Sequence, residues 1–167
     1  NKLIINLKEY PLVNEIVLLG EPSKRIKQQI IKIMKLKTKG SFIKNYLNSD
    51  VNTIKKLYAS IGYNFSEVEV KVRKIDENNF DLAIEIDRGD RTKISKIFFT
   101  GDKKVKQKRL RDIITSEEDK FWKFISNNTN FSENQIELDQ RLLVNYYKSI
   151  GYYDVVVSSS SAEILDS

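Results

Sequence analysis

Two hydrophobic patterns alternate along this chain, and each predicts a different kind of secondary structure. Apolar side chains take every second position on both sides of the polar turn at residues 76–79. These residues are Val68, Val70, Val72, Phe80, Leu82, Ile84 and Ile86. A period of two residues is typical of strands with one buried face, so the pattern predicts an antiparallel pair of strands. The intervening charges are expected to face solvent; they include Glu67, Glu69, Lys71 and Arg73.

Apolar residues before this pair follow the spacing of a helix instead. A first helix is predicted to start after Pro22 and Ser23, with one apolar face made of Ile26, Ile30, Ile33 and Met34. A second helix, capped by Asn48 or Ser49, carries a stripe made of Val51, Ile54, Leu57, Tyr58 and Ile61. Gly62 follows its last turn, where a left-handed conformation favours glycine. A short apolar strand, residues 15–19, precedes both helices and ends at Gly20.

This order of elements occurs twice. Residues 14–20 return as residues 95–101, 81 positions later, and residues 57–63 return as residues 146–152, 89 positions later. A period of this length corresponds to a small domain rather than to one unit of a solenoid. We therefore predict an α+β protein with two tandem β-α-α-β-β domains. Each domain would be a three-stranded mixed sheet covered on one face by two helices.

The second copy has its own predicted elements. Its first strand spans residues 94–99, its first helix residues 105–114, and a capping-box pattern of Ser132 and Gln135 opens its second helix. Its next strand begins at Val155. We place the complete domain at residues 11–90 and the second at residues 91–167, which lacks a final strand.

Residues 1–10 are interpreted as the last strand of a preceding domain, because Leu3, Ile5 and Leu7 alternate as the residues of a final strand do. A longer parent protein with at least three copies is therefore expected. The two ends of this chain would then be complementary. We expect residues 2–8 of one molecule to fill the open position in another, which would give a head-to-tail self-association.

Composition excludes several kinds of chemistry. The chain has no histidine and no cysteine, so thiol nucleophiles, imidazole catalysis, disulfides and His/Cys zinc sites are impossible. No phosphate-binding glycine loop is present, and we expect neither an enzyme nor a cofactor or metal site. No apolar run approaches the ~20 residues of a membrane helix.

The net charge of +6 raises the alternative of a nucleic-acid-binding tandem module. A K-homology RNA module would need a Gly-x-x-Gly loop between its two helices. The first copy has only Gly40 in that region and the second copy has no glycine there. Nucleic acid is therefore not an expected partner.

The doubled motif resembles the polypeptide-transport-associated (POTRA) domain. An apolar strand ends in glycine, and a helix ends in Tyr-x-x-x-Gly-Tyr, at residues 58–63 and again at residues 147–152. The segment at residues 121–124 and the helix at residues 142–147 are similar to the third domain of a POTRA series, which would make this chain the second and third domains. The POTRA regions of autotransporter-assembly and two-partner-secretion transporters are alternatives.

The resemblance implies a function. POTRA domains lie in the periplasm, ahead of a C-terminal membrane β-barrel that is absent from this sequence. They serve outer-membrane protein assembly by binding unfolded barrel precursors and periplasmic lipoproteins, without catalysis.

Such binding would use the edges of the sheets. The right-handed connection rule predicts the spatial order first–third–second, which leaves the second strand of each domain at an edge. An edge strand can pair with an extended peptide, a mode called β-augmentation. The predicted partner-binding residues are Glu67, Val68, Glu69, Val70, Lys71, Val155, Val156, Val157, Ser158 and Ser159. The edge at residues 155–159 carries fewer charged side chains than the edge at residues 67–71, so less opposes the docking of a partner. Trp122 is either part of the core or a partner-binding hot spot.

Overall fold

The computed structural model describes residues 3–5, 9–101, 104–120 and 127–158. The chain forms two compact units. The first comprises the described parts of Asn1–Ala59 and Phe65–Asp90, and the second comprises those of Ser60–Asn64 and Arg91–Ser167. No helix in the described ranges is long and apolar enough to cross a membrane.

The first unit has the predicted order of elements. They are β1 (Leu12–Leu19), α1 (Lys24–Ile33), α2 (Lys44–Ser60), β2 (Glu67–Lys74) and β3 (Asn79–Asp87). The strand order is β1-β3-β2, with β1 parallel and β2 antiparallel to β3. This confirms the mixed sheet with the third strand at its centre.

The core of the first unit combines alternate strand residues with the apolar faces of both helices. The buried apolar residues are Val13, Leu18, Ile30, Met34, Leu36, Ile54, Tyr58, Val68, Leu82, Ile84 and Ile86. Their removal from water is the main favourable contribution to folding. Ile33 was expected on the buried face of α1, but it is exposed. The chain becomes extended at Met34, so Leu36 takes the buried position instead.

Helix α2 begins at Lys44, and the prediction of a cap at Asn48 or Ser49 is wrong. Tertiary contacts fix the earlier start. The ring of Phe42 stacks on Phe80 with centroids 4.9 Å apart, and the Phe42 amide donates a hydrogen bond to the Pro11 carbonyl at 2.6 Å. These contacts outweigh the capping preference of single polar residues, which is a weaker local effect.

The described residues of the second unit form two α-helices and a short 3₁₀ helix. Helix α3 spans Gln107–Ile113, the 3₁₀ helix spans Asn127–Thr129, and α4 spans Glu133–Ser149. Ser132 precedes α4 as predicted. Its side chain makes no capping hydrogen bond, so the prediction of a capping box is wrong. Both α2 and α4 are 17 residues long.

The glycines of the repeat share a backbone conformation. Gly20 and Gly101 have φ values of 82° and 93°, and Gly62 and Gly151 have values of 95° and 96°. Only glycine adopts this region without strain. The prediction of a left-handed Gly62 is confirmed, and the second copy repeats it.

The predicted first strand of the second unit is not formed within the described residues. Residues 94–100 have no strand conformation, and the segment is held instead by loop hydrogen bonds. Ile94 donates to the Thr129 carbonyl at 2.7 Å, and Phe131 donates to the Thr92 carbonyl at 2.7 Å. A strand needs a neighbour that accepts hydrogen bonds from its backbone N–H groups and donates them to its C=O groups. In the first unit β3 is that neighbour, whereas no strand lies beside residues 94–100 in the part of the chain that the structure describes.

Candidate functional site

Strand β2 forms one edge of the sheet in the first unit. All of its backbone ladder runs to β3, from Glu67 opposite Asp87 to Lys74 opposite Phe80. In the part of the chain that the structure describes, no strand lies on its other side. An edge of this kind presents unpaired backbone donors and acceptors to any extended segment that approaches it.

Strand β1 forms the opposite edge, but its first residues are already occupied. Leu12 forms an isolated antiparallel bridge with Ser41. Val13 donates to the Gly40 carbonyl at 2.8 Å, and the Lys39 amide donates to the Val13 carbonyl at 2.7 Å. The segment before α2 therefore covers the start of this edge. Of the two edges, β2 is the more open.

The same bridge recurs in the second unit, between Lys93 and Asn130. Lys93 lies 81 positions after Leu12, and Asn130 lies 89 positions after Ser41. These are the two offsets of the sequence repeat. The bridge that covers the start of β1 thus recurs at the equivalent positions of the second copy.

The side chains of β2 alternate as predicted over most of its length. Val68 is buried and Val70 is half-buried, whereas Glu67, Glu69 and Lys71 are exposed. The prediction is wrong at Val72, which is 42% exposed. Residues 72–74 are all exposed, because this end of the hairpin extends past the buried core.

Ion pairs to β3 fix the second half of β2. Lys71 contacts Glu85 at 2.6 Å, and Arg73 contacts Asp81 at 2.6 Å. Hydrogen bonding to Glu85 raises the pKa of Lys71. The hydrogen bond from Arg73 lowers the pKa of Asp81, with a further contribution from the amide of Asn14. These pKa shifts hold Lys71 and Asp81 in their charged forms at neutral pH.

The proposed edge of the second unit is not a strand in the described residues. Residues 155–158 have no regular secondary structure, and Val156 is 79% exposed. Val155, Val156, Val157 and Ser158 thus have no strand conformation, and no strand lies beside them among the described residues, so their role in partner binding stays a prediction. Ser159 lies outside the described residues. Trp122 also lies outside them, so its role stays a prediction.

Two buried aspartates are a feature that the sequence analysis missed. Asp50 in α2 accepts hydrogen bonds from the amides of Lys35 at 2.7 Å and Leu36 at 2.9 Å. Asp139 in α4 accepts them from the amides of Thr115 at 2.6 Å and Ser116 at 3.2 Å.

Each aspartate thus binds the two amides that follow the C-cap of the preceding helix, Met34 or Ile114. The signal in the sequence was their separation of 89 positions, the same as that of Gly62 and Gly151.

A second buried polar contact in the first unit was also not predicted from the sequence. Glu21 is buried, accepts a hydrogen bond from the Ser23 amide at 2.7 Å, and accepts another from the hydroxyl of the fully buried Tyr58. Glu21 directly follows the glycine that ends β1. Its carboxylate therefore ties the end of β1 to α2 and stabilises the sheet whose edge is β2.

Comparison with known protein families gives a match over most of the chain. The sequence model of the POTRA family, described as a surface antigen variable number repeat, matches residues 11–89 and 92–167. It therefore finds two tandem copies, as the repeat and the duplicated glycine conformations indicate.

The chain is also similar to curated outer-membrane protein assembly factors. The chain is 25% identical over 153 residues to the outer membrane protein assembly factor BamA of Neorickettsia risticii. The aligned region covers 91% of this chain and 20% of the relative. It is 28% identical over 108 residues to BamA of Neisseria meningitidis serogroup B, covering 65% of this chain and 14% of that protein. The chain thus spans about a fifth or less of the length of these relatives.

Solved structures show the same fold. BamA from Haemophilus ducreyi lacking POTRA domains 1–3 has a TM-score of 0.54 at 18% identity, covering 86% of this chain and 25% of the other. POTRA domains 1–3 of Omp85 from Anabaena have a TM-score of 0.53 at 13% identity, covering 90% of this chain and 56% of the other. These neighbours come from different positions in their series, so the assignment to the second and third domains stays a prediction.

Proposed function

Because the chain belongs to the POTRA family, we propose that it is a tandem binding module in the periplasmic part of a BamA-type outer-membrane protein assembly factor. The observation that carries this proposal is the open edge of β2 in a sheet whose other edge is partly covered. The names of the curated relatives, which are assembly factors, support the same process.

The proposed mode of binding is β-augmentation along β2. An extended segment would add a fourth strand beside Glu67–Lys74, with main-chain hydrogen bonds supplying much of the affinity. Main-chain pairing depends little on side chains, which suits a receptor for many unfolded outer-membrane protein precursors. The periplasmic lipoproteins of an assembly complex are further proposed partners. The function needs no catalytic group and no cofactor.

The domain boundaries are part of the proposal. We place one POTRA domain at residues 11–90 and another from residue 91 onward. The division of the contacts into two units and the matched ranges of the family both support a boundary near residue 90. The proposed head-to-tail self-association, in which residues 2–8 add to another molecule, is supported by the high exposure of Leu3 and Ile5.

Site-specific crosslinking of this chain tests the binding edge. The chain has no cysteine, so single cysteines can be introduced without background. We expect a photoactivatable group attached at Glu69→Cys or Lys71→Cys to capture an unfolded outer-membrane precursor several-fold more efficiently than one at Lys55→Cys or Lys56→Cys. These two control positions are exposed residues of α2. Equal capture at the strand and helix positions would contradict binding at β2.

A further inference from the structure

The charges of the β2 edge are segregated along the strand. The register places Glu67 opposite Asp87 and Glu69 opposite Glu85, so two successive cross-strand pairs have like charge. Like charges directly opposite each other destabilise an antiparallel pair. Glu67 and Glu69 form no salt bridge within the described residues, whereas Lys71 and Arg73 are both paired to β3. Lys71 and Arg73 are therefore paired within the sheet, whereas Glu67, Glu69 and the terminal Lys74 form no salt bridge among the described residues.

A depression that spans the sheet from the end of β1 across β3 reaches the negative end of β2. Its lining consists of Leu19, Gly20, Glu67, Glu69, Glu85, Ile86 and Asp87. The lining thus combines carboxylates with apolar surface, because Leu19 is 44% exposed. The described residues contain no group of acidic side chains placed to hold a metal ion. A long side chain with an aliphatic stem and a cationic head is the better chemical match.

The other face of β2 is apolar. Val68 and Val70 face the core, and the exposed Val72 continues their row toward the hairpin tip. An added strand would place alternate side chains beside this row. Apolar residues at those positions would cover Val72 and remove its surface from water.

We propose that β2 prefers an extended segment with lysine or arginine in its C-terminal half, alternating with apolar residues. This inference rests on the proposed function and adds the chemistry and direction of the occupant. Antiparallel pairing is the more stable arrangement per residue. In that arrangement the C-terminal half of the segment lies beside the N-terminal half of β2, where neither Glu67 nor Glu69 forms a salt bridge within the described residues.

Peptide binding to the chain tests this preference. Three labelled peptides of about ten residues, the length of a long strand, share the same apolar positions. The first has lysines in its C-terminal half, the second has lysines in its N-terminal half, and the third has glutamates in its C-terminal half. We expect the first to bind on the order of tenfold more tightly than the third, with the second between them. The difference should shrink at high salt, because these charges are exposed.

A charge-reversed variant and a matched control complete the test. Glu67→Lys together with Glu69→Lys should reverse the order of the first and third peptides. Glu133→Lys together with Glu137→Lys makes the same change in net charge at exposed positions of α4 and should leave the order unchanged. The edge variant should stay folded, because its new lysines lie opposite Asp87 and Glu85. Unchanged circular dichroism and thermal unfolding would verify this.

The possible failures are distinguishable. Peptides that bind with equal affinity, and that perturb the amide resonances of β2, would overturn the charge preference and leave the binding edge intact. A reversed order in the α4 control would also overturn the preference, because net charge alone would then explain it. Peptides that leave β2 unperturbed would overturn the proposed function, and the charge preference with it.

Discussion

Gly20→Ala is expected to lower the free energy of unfolding of the first unit by at least about 3 kcal/mol. The φ of Gly20 is +82°, and a Cβ atom at this position would lie 2.0 Å from the carbonyl oxygen of Ile86. Relief of this overlap requires movement of backbone in β3, the central strand, which pairs with both neighbours. Native-state hydrogen exchange of the β3 amides measures the effect, since it reports the opening of this unit.

Gly89→Ala is the matched control for this substitution. Gly89 also has a positive φ, of +59°, but the nearest atom to its Cβ position is the Phe65 carbonyl oxygen at 4.0 Å. It should therefore show only the backbone cost of about 1 kcal/mol. Equal effects at Gly20 and Gly89 would contradict the close approach of β1 and β3 at Ile86.

Asp50→Ala is expected to cost about 2–3 kcal/mol of unfolding free energy. The substitution leaves the amides of Lys35 and Leu36 without their acceptor, and Leu36 is a buried core residue. Hydrogen bonds to a charged group are stronger than average, and an unpaired buried donor carries the full cost of lost hydration. Urea denaturation of the whole chain, together with amide exchange at Lys35 and Leu36, measures both the global and the local effect.

Asn52→Ala serves as the control on the same helix, because Asn52 is exposed. It should change the stability by only a few tenths of a kcal/mol, since alanine is the better helix former. Asp50→Asn should fall between the two, because an amide keeps one acceptor but loses the charge. If exchange at Lys35 and Leu36 is unchanged in Asp50→Ala, the aspartate does not hold this turn.

Local patterns in the sequence were sufficient to predict the topology of the first unit. The alternation around residues 76–79 predicted the β2–β3 hairpin, and the connection rule placed β3 at the centre. Gly62 was predicted from the end of a helical stripe, which depends only on local backbone geometry. Each of these features arises from neighbours in sequence or from a rule that holds for most folds.

Features that depend on distant partners were not predicted. The start of α2 is fixed by contacts of Phe42 with Phe80 and Pro11. Asp50 binds amides that follow the C-cap of α1. Val72 has the same alternation as Val68, yet the core does not extend to it. In the second unit, residues 94–99 and 155–158 have strand-like sequences but no paired neighbour in the described residues. A strand-like sequence alone does not provide hydrogen-bond partners for the backbone N–H and C=O groups.

Amide hydrogen exchange along β2, with and without a bound extended peptide, is the most direct test of β-augmentation at this edge. Edge-strand amides alternate between those that pair with β3 and those that point outward. We expect binding to slow exchange at every second residue of Glu67–Lys74 and to leave the amides of β1 unchanged. Slower exchange at α1 or α2 instead, or no change along β2 at saturating peptide, would contradict binding by β-augmentation at this edge.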